Sequence, residues 1–61
     1  MMTRREANQR AEQNNCTIRL VPGLGEFEVY HNAWTRKQRE ERAYFTDDLE
    51  DAVLTTGKMK P

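Results

Sequence analysis

The chain is expected to fold as an α+β domain: a three-stranded antiparallel β-meander with a C-terminal helix packed on one face, preceded by a polar N-terminal helix or arm. Three observations carry that expectation. Residues 43 to 57 read as a short strand running into a capped, acid-tipped helix. Two alternating segments, Cys16 to Val21 and Glu26 to His31, flank the turn-forming tetrad Pro22-Gly23-Leu24-Gly25. A length of 61 residues admits only one domain, so these elements must share a single core.

Thr3 and Glu6 stand at capping-box spacing and open a run of good helix formers and polar residues. Ala7 and Ala11 are its only apolar positions, four apart, and no large side chain follows Met2. A helix here has little to bury, and short isolated helices are marginal in water. Residues 1 to 15 are therefore read as a helix or a frayed polar arm attached to a βββα domain of residues 16 to 61, with Asn14 and Asn15 as the stop.

The hairpin specifies its own register. With Val21 opposite Glu26, one face pairs Leu20 with Phe27, Ile18 with Val29 and Cys16 with His31, and these six are expected to be buried. The other face pairs Arg19 with Glu28 and Thr17 with Tyr30, an opposite-charge pair and a β-branched/aromatic pair that favour antiparallel strands. A slip of one residue would turn Arg19 and Glu28 into the core.

Beyond Ala33 and Trp34 the alternation fails in Thr-Arg-Lys-Gln-Arg-Glu-Glu, and residues 32 to 41 read as a long charged hairpin loop. Thr35 and Gln38, at capping-box spacing, offer a short helix as the competing reading. Residues 41 to 45 return as a third strand with Ala43 and Phe45 toward the core. Thr46 then caps a helix over residues 47 to 56, which carries Leu49, Ala52, Val53 and Thr56 as one apolar stripe and ends at Gly57 as a left-handed stop.

Composition narrows the function. With 36% hydrophobic and 33% charged residues the core is thin, so completion by a dimer or a bound partner is expected. Ten basic and ten acidic residues cancel, removing the global field that non-specific nucleic-acid and membrane-surface binders carry. A single cysteine forms no intramolecular disulfide, and no apolar run suffices for a signal peptide or a membrane span, so a cytoplasmic protein is expected.

The chemistry-bearing constellations are sparse. The hairpin register sets Cys16 beside His31, but a metal site needs further ligands and a cysteine nucleophile needs a cleft and an oxyanion donor. Asp47 and Asp51 share a helical face, but acids in a first helical turn are favoured by the macrodipole alone. The glycines around Pro22 lack the helix and lysine of a phosphate loop. No catalytic, cofactor-binding or metal-ligating residue is assigned, and the chain is read as a non-enzyme without a cofactor.

The order helix, three strands, helix resembles the double-stranded RNA-binding domain in outline. Strands and last helix together resemble the βββα domains of the AP2 and integrase arm-binding families. The first resemblance implies a phosphate-gripping basic cluster at the start of the last helix, where this chain has Asp47, Asp48, Glu50 and Asp51. The second implies arginines and tryptophans on the open sheet face, where this chain offers Arg19 and Arg42 among Glu26 and Glu28.

The remaining tools are those of a binding protein. Trp34 is the first anchor candidate, with Tyr30, Tyr44 and the basic run Arg36, Lys37, Arg39 and Arg42, because aromatic and arginine side chains dominate interface hot spots. The format is similar to that of the small inhibitors of phages and mobile elements, anti-CRISPR proteins among them. The expectation is a protein-binding inhibitor or adaptor of a larger host assembly. The alternatives are a nucleic-acid-binding βββα domain that uses loop 36 to 42 and a basic arm of Arg4, Arg5 and Arg10, and a homodimeric structural subunit joined through the open sheet face or the edge of the first strand.

Overall fold

A computed structural model describes residues 2 to 61. The order is α1 (Arg4–Gln13), β1 (Cys16–Val21), β2 (Glu26–His31), α2 (Arg36–Arg42), β3 (Tyr44–Thr46) and α3 (Leu49–Thr56). The strands form one antiparallel sheet in the order β1-β2-β3. The expected α-βββ-α layout is the observed one, and β1 and β2 pair in the expected register from Cys16↔His31 to Val21↔Glu26. Gly23 and Gly25, at φ 86° and 68°, supply the positive dihedrals that this four-residue turn requires.

The N-terminal segment is a helix. Thr3 caps it by accepting from the Glu6 amide at 3.2 Å, and Asn15, at φ 57°, stops it in the left-handed region. α1 lies against β1 and α3, and α3 covers β2 and β3, so both helices share one face of the sheet. Between them Ala7, Ala11 and Ala52 are fully buried with Cys16, Ile18 and Val29. Small side chains let the helices approach, which is how a segment with no large apolar residue gains a stable partner. Asn14 Nδ2 donates to Thr56 Oγ1 at 3.1 Å and ties the C-terminal ends of α1 and α3 together.

Several expectations are corrected. Residues 36 to 42 are helical rather than looped, because Thr35 Oγ1 accepts from the Gln38 amide at 3.2 Å while the Gln38 side chain accepts from the Thr35 amide at 2.9 Å. Two otherwise orphaned donors are satisfied by that reciprocal box, so local capping outweighs the lack of a buried face. β3 begins at Tyr44, not 41, since Ala43 closes α2. Its register, Phe27↔Thr46, Glu28↔Phe45 and Val29↔Tyr44, turns Thr46 inward and Phe45 to the opposite face, where Phe45 is 48% exposed. α3 starts at Leu49 under an Asp48 cap, and Thr46 Oγ1 instead accepts from the Asp48 amide. Gly57 stays right-handed at φ −67°. Of the six residues expected to be buried, Leu20 is 47% exposed and Phe27 only half-buried, because the helix layer stops short of the hairpin end.

The alanine seam leaves no room for a longer side chain. Ala52→Leu should lower stability by about 1–3 kcal/mol through overpacking, read as an earlier midpoint in urea unfolding followed by circular dichroism. An unchanged midpoint would show that the helices are not in close contact.

Candidate functional site

The sheet face left free by α1 and α3 carries Thr17, Arg19 and Val21 from β1, Glu26, Glu28 and Tyr30 from β2, and Phe45 from β3. Glu28 is its centre and is only 8% exposed. Its Oε1 accepts from Arg19 Nε at 3.2 Å and from Arg39 Nη2 at 3.2 Å, and its Oε2 accepts from Arg39 Nε at 3.5 Å. Burial pushes the Glu28 carboxyl up, but the hydrogen bonds and charges of Arg39 and Arg19 together outweigh it and hold the group below its ordinary range. The hydrogen bond to Glu28 in turn raises the Arg39 guanidinium.

Arg39 is also stacked, its guanidinium carbon 4.0 Å from the Tyr30 ring centroid. α2 buries no residue of its own and approaches mainly β2, so this one arginine fastens it to the sheet. Trp34 is fixed from another direction. Its Nε1 donates to the Lys60 carbonyl at 2.6 Å, its amide donates to the His31 carbonyl at 3.1 Å, and its ring lies 6.2 Å from that of His31. The indole thereby pins the C-terminal tail to the exit of β2.

Between these elements runs a groove of about 590 Å³, walled by Glu28, Tyr30 and Asn32 on one side and by Trp34, Arg36, Arg39 and Glu40 on the other. It gathers four of the seven sequence-selected residues: Tyr30, Trp34, Arg36 and Arg39. Lys37 and Arg42 are exposed on α2 outside it. Tyr44 lies on the helix-bearing face, where its hydroxyl donates to Asp51 Oδ2 at 2.7 Å, a bond that pushes the phenol up. Sequence reasoning missed Glu28, Asn32 and Glu40 as site residues. The Arg19–Glu28 cross-strand pair was the available signal for Glu28, whereas Arg39 reaches it only because α2 is a helix.

Half of the basic run is paired. Arg39 is held by Glu28, and Arg36 lies 3.7 Å from Glu40 on an exposed helical face. Among the described residues only Lys37 and Arg42 of the run have no carboxylate within ion-pair distance.

The Cys16–His31 pair is adjacent in register but chemically separate. The Cys16 thiol donates to the Asn14 carbonyl at 3.3 Å and approaches the Thr56 carbonyl at 3.7 Å, and burial pushes it up and keeps it neutral. His31 Nδ1 accepts from the Ala33 amide at 3.0 Å. Among the described residues no three His, Cys, Asp or Glu side chains converge as a metal site, and no helix is long and apolar enough to cross a membrane. At the edge of β1, Arg4 Nη2 donates to the Ile18 carbonyl at 3.3 Å and occupies a group that strand addition would need.

No family model, curated protein or solved structure matches this chain.

The depressed Glu28 value sets a pH dependence. Its stabilisation is complete above the ordinary glutamate pKa of about 4.3 and is lost as pH falls through the lower folded value. Glu28→Gln should cost about 1 kcal/mol at neutral pH, a modest figure because both arginines are partly in water. The gap from wild type should close in acid, as read from paired urea unfolding curves. A gap that persists in strong acid would contradict the role of the carboxylate charge.

Proposed function

We propose that this protein is a non-enzymatic protein-binding module that acts stoichiometrically, as an inhibitor or adaptor of a larger assembly, through the groove between α2 and the open sheet face. The observation that supports this reading most is the fixed Tyr30–Arg39–Glu28 stack beside the tethered Trp34. Aromatic and arginine side chains carry most interface energy, and side chains already ordered lose less entropy when a partner binds. Exposed Phe45 and Arg19 extend the same face beyond the groove and enlarge the area available to a partner.

The electrostatics favour protein over nucleic acid. Phosphate binding draws its affinity from cations free to displace counterions, and here Arg39 and Arg36 already face carboxylates. Interface cores accept such internally paired arginines, since their planar faces still pack.

Affinity capture by tagged protein from lysate of the source or host organism, with and without nuclease, tests the reading. One partner complex should be retained at stoichiometric level after nuclease, survive Lys37→Ala/Arg42→Ala, and be lost with Trp34→Ala and with Phe45→Ser. The second variant alters an exposed ring and leaves the tail contact of Trp34 intact. Capture that vanishes with nuclease or with the Lys37/Arg42 variant would replace this reading with nucleic-acid binding. A dimer by light scattering at all concentrations, with no captured partner, would replace it with a homodimeric subunit.

A further inference from the structure

A second groove lies at the other end of β2 and on the opposite side of the sheet, where α3 begins beside the hairpin. It measures about 480 Å³ and has an apolar floor of Met2, Phe27 and Leu49, each half-buried, under a rim of Asp47, Asp48 and Glu50, all exposed. Leu20, the cross-strand neighbour of Phe27, is 47% exposed and continues the floor toward the hairpin. None of the three rim carboxylates has an ion-pair partner among the described residues.

Structural duties account for only part of this arrangement. Asp48 Oδ1 accepts from the Glu50 amide at 2.9 Å as the α3 cap, and acids there suit the helix dipole. Asp47 precedes the cap and has no side-chain hydrogen bond among the described residues. Arg4 lies against this floor, its guanidinium carbon 5.1 Å from the Phe27 ring centroid and its Nη2 bonded to the Ile18 carbonyl, and among the described residues it forms no ion pair with the rim. A chain short of large apolar residues thus leaves three of them partly open beneath unpaired negative charge.

We propose that this groove takes a basic, apolar-anchored segment of a partner protein. An aliphatic side chain would rest on Met2, Leu49 and the part of Phe27 that Arg4 leaves open, while flanking lysine or arginine residues face Asp47 and Glu50. Charge complementarity selects the occupant, since the same rim repels nucleic-acid phosphates and anionic lipid headgroups. The inference shares with the proposed function only the premise that the chain binds proteins, and it uses a different face.

The test is a titration of the isotope-labelled full chain by amide NMR with a blocked peptide alternating lysine and leucine. Amides of Phe27 and of residues 47 to 50 should shift saturably. Affinity should fall roughly tenfold in Asp47→Asn/Glu50→Gln, the loss expected for two charge-assisted contacts. These side chains are exposed, so the variant should keep its fold, as circular dichroism would verify. A serine-for-leucine peptide should bind much more weakly. The proposal is overturned if those amides do not move, if the double variant or the serine peptide binds equally well, or if diluting the protein alone moves the same amides, which would make the occupant a second copy. Trp34→Ala should leave this titration unchanged, so failure of the α2 groove and failure of this one are read separately.

Discussion

Two helices on one face of a three-stranded sheet is the constraint from which the rest of the architecture follows. Outer strands of such a sheet are about 10 Å apart, and packed helices sit about 8–10 Å apart at their axes. The two separations match, so a pair of helices can cover the sheet only if they pack directly against each other. Ala7, Ala11 and Ala52 provide that approach, and Val29 on the central strand is fully buried beneath the layer. Larger residues in α1 would give it more surface to bury but would push it off the sheet. The polar character of α1 is thus compatible with order, because its contribution is closeness and not area.

That use of one face fixes what happens on the other. With α1 and α3 committed, α2 has no apolar surface to offer and attaches through charge and stacking alone. A carboxylate buried to the degree of Glu28 is tolerated only when its charge is paired and its lone pairs are filled, and Arg19 and Arg39 do both. The same contacts leave the planar faces of Tyr30, Arg39 and Trp34 lining a groove. Stability and recognition here draw on the same side chains. Substitution of Arg39 would confound the two, whereas Phe45 on the same face bears no such structural load.

The fold was legible where local chemistry and pairing agreed. The β1–β2 register could be read because both of its faces are satisfied at once, by Ile18 with Val29 on one and Arg19 with Glu28 on the other. β3 was misread because three residues hold too little alternation to choose a face: Phe45 is the more apolar side chain, yet the hydroxyl of Thr46 is needed at the start of α3. α2 was visible as a Thr35–Gln38 capping box but had no hydrophobic period to support it, and capping alone decided the outcome. The site was half legible. Tyr30, Trp34, Arg36 and Arg39 were selected as residue types, but their convergence depends on a helix that composition did not require, and Glu28 reads from sequence as an ordinary surface partner of Arg19.

Net neutrality conceals a division of charge across the sheet. The α2 side offers cations that are mostly paired within the chain, whereas the start of α3 offers carboxylates that are mostly unpaired. Paired charge contributes orientation and little long-range attraction, while unpaired charge acts over about 8–10 Å at ordinary ionic strength. The two grooves should therefore differ in how they recognise a partner. The α2 groove selects by shape and stacking and should be nearly insensitive to salt. The α3 groove attracts through its field and should weaken as salt is added. A partner that engaged both faces would have to reach around a sheet only three strands wide, and the backbone, which extends only 14 Å along its shortest axis, keeps that span short.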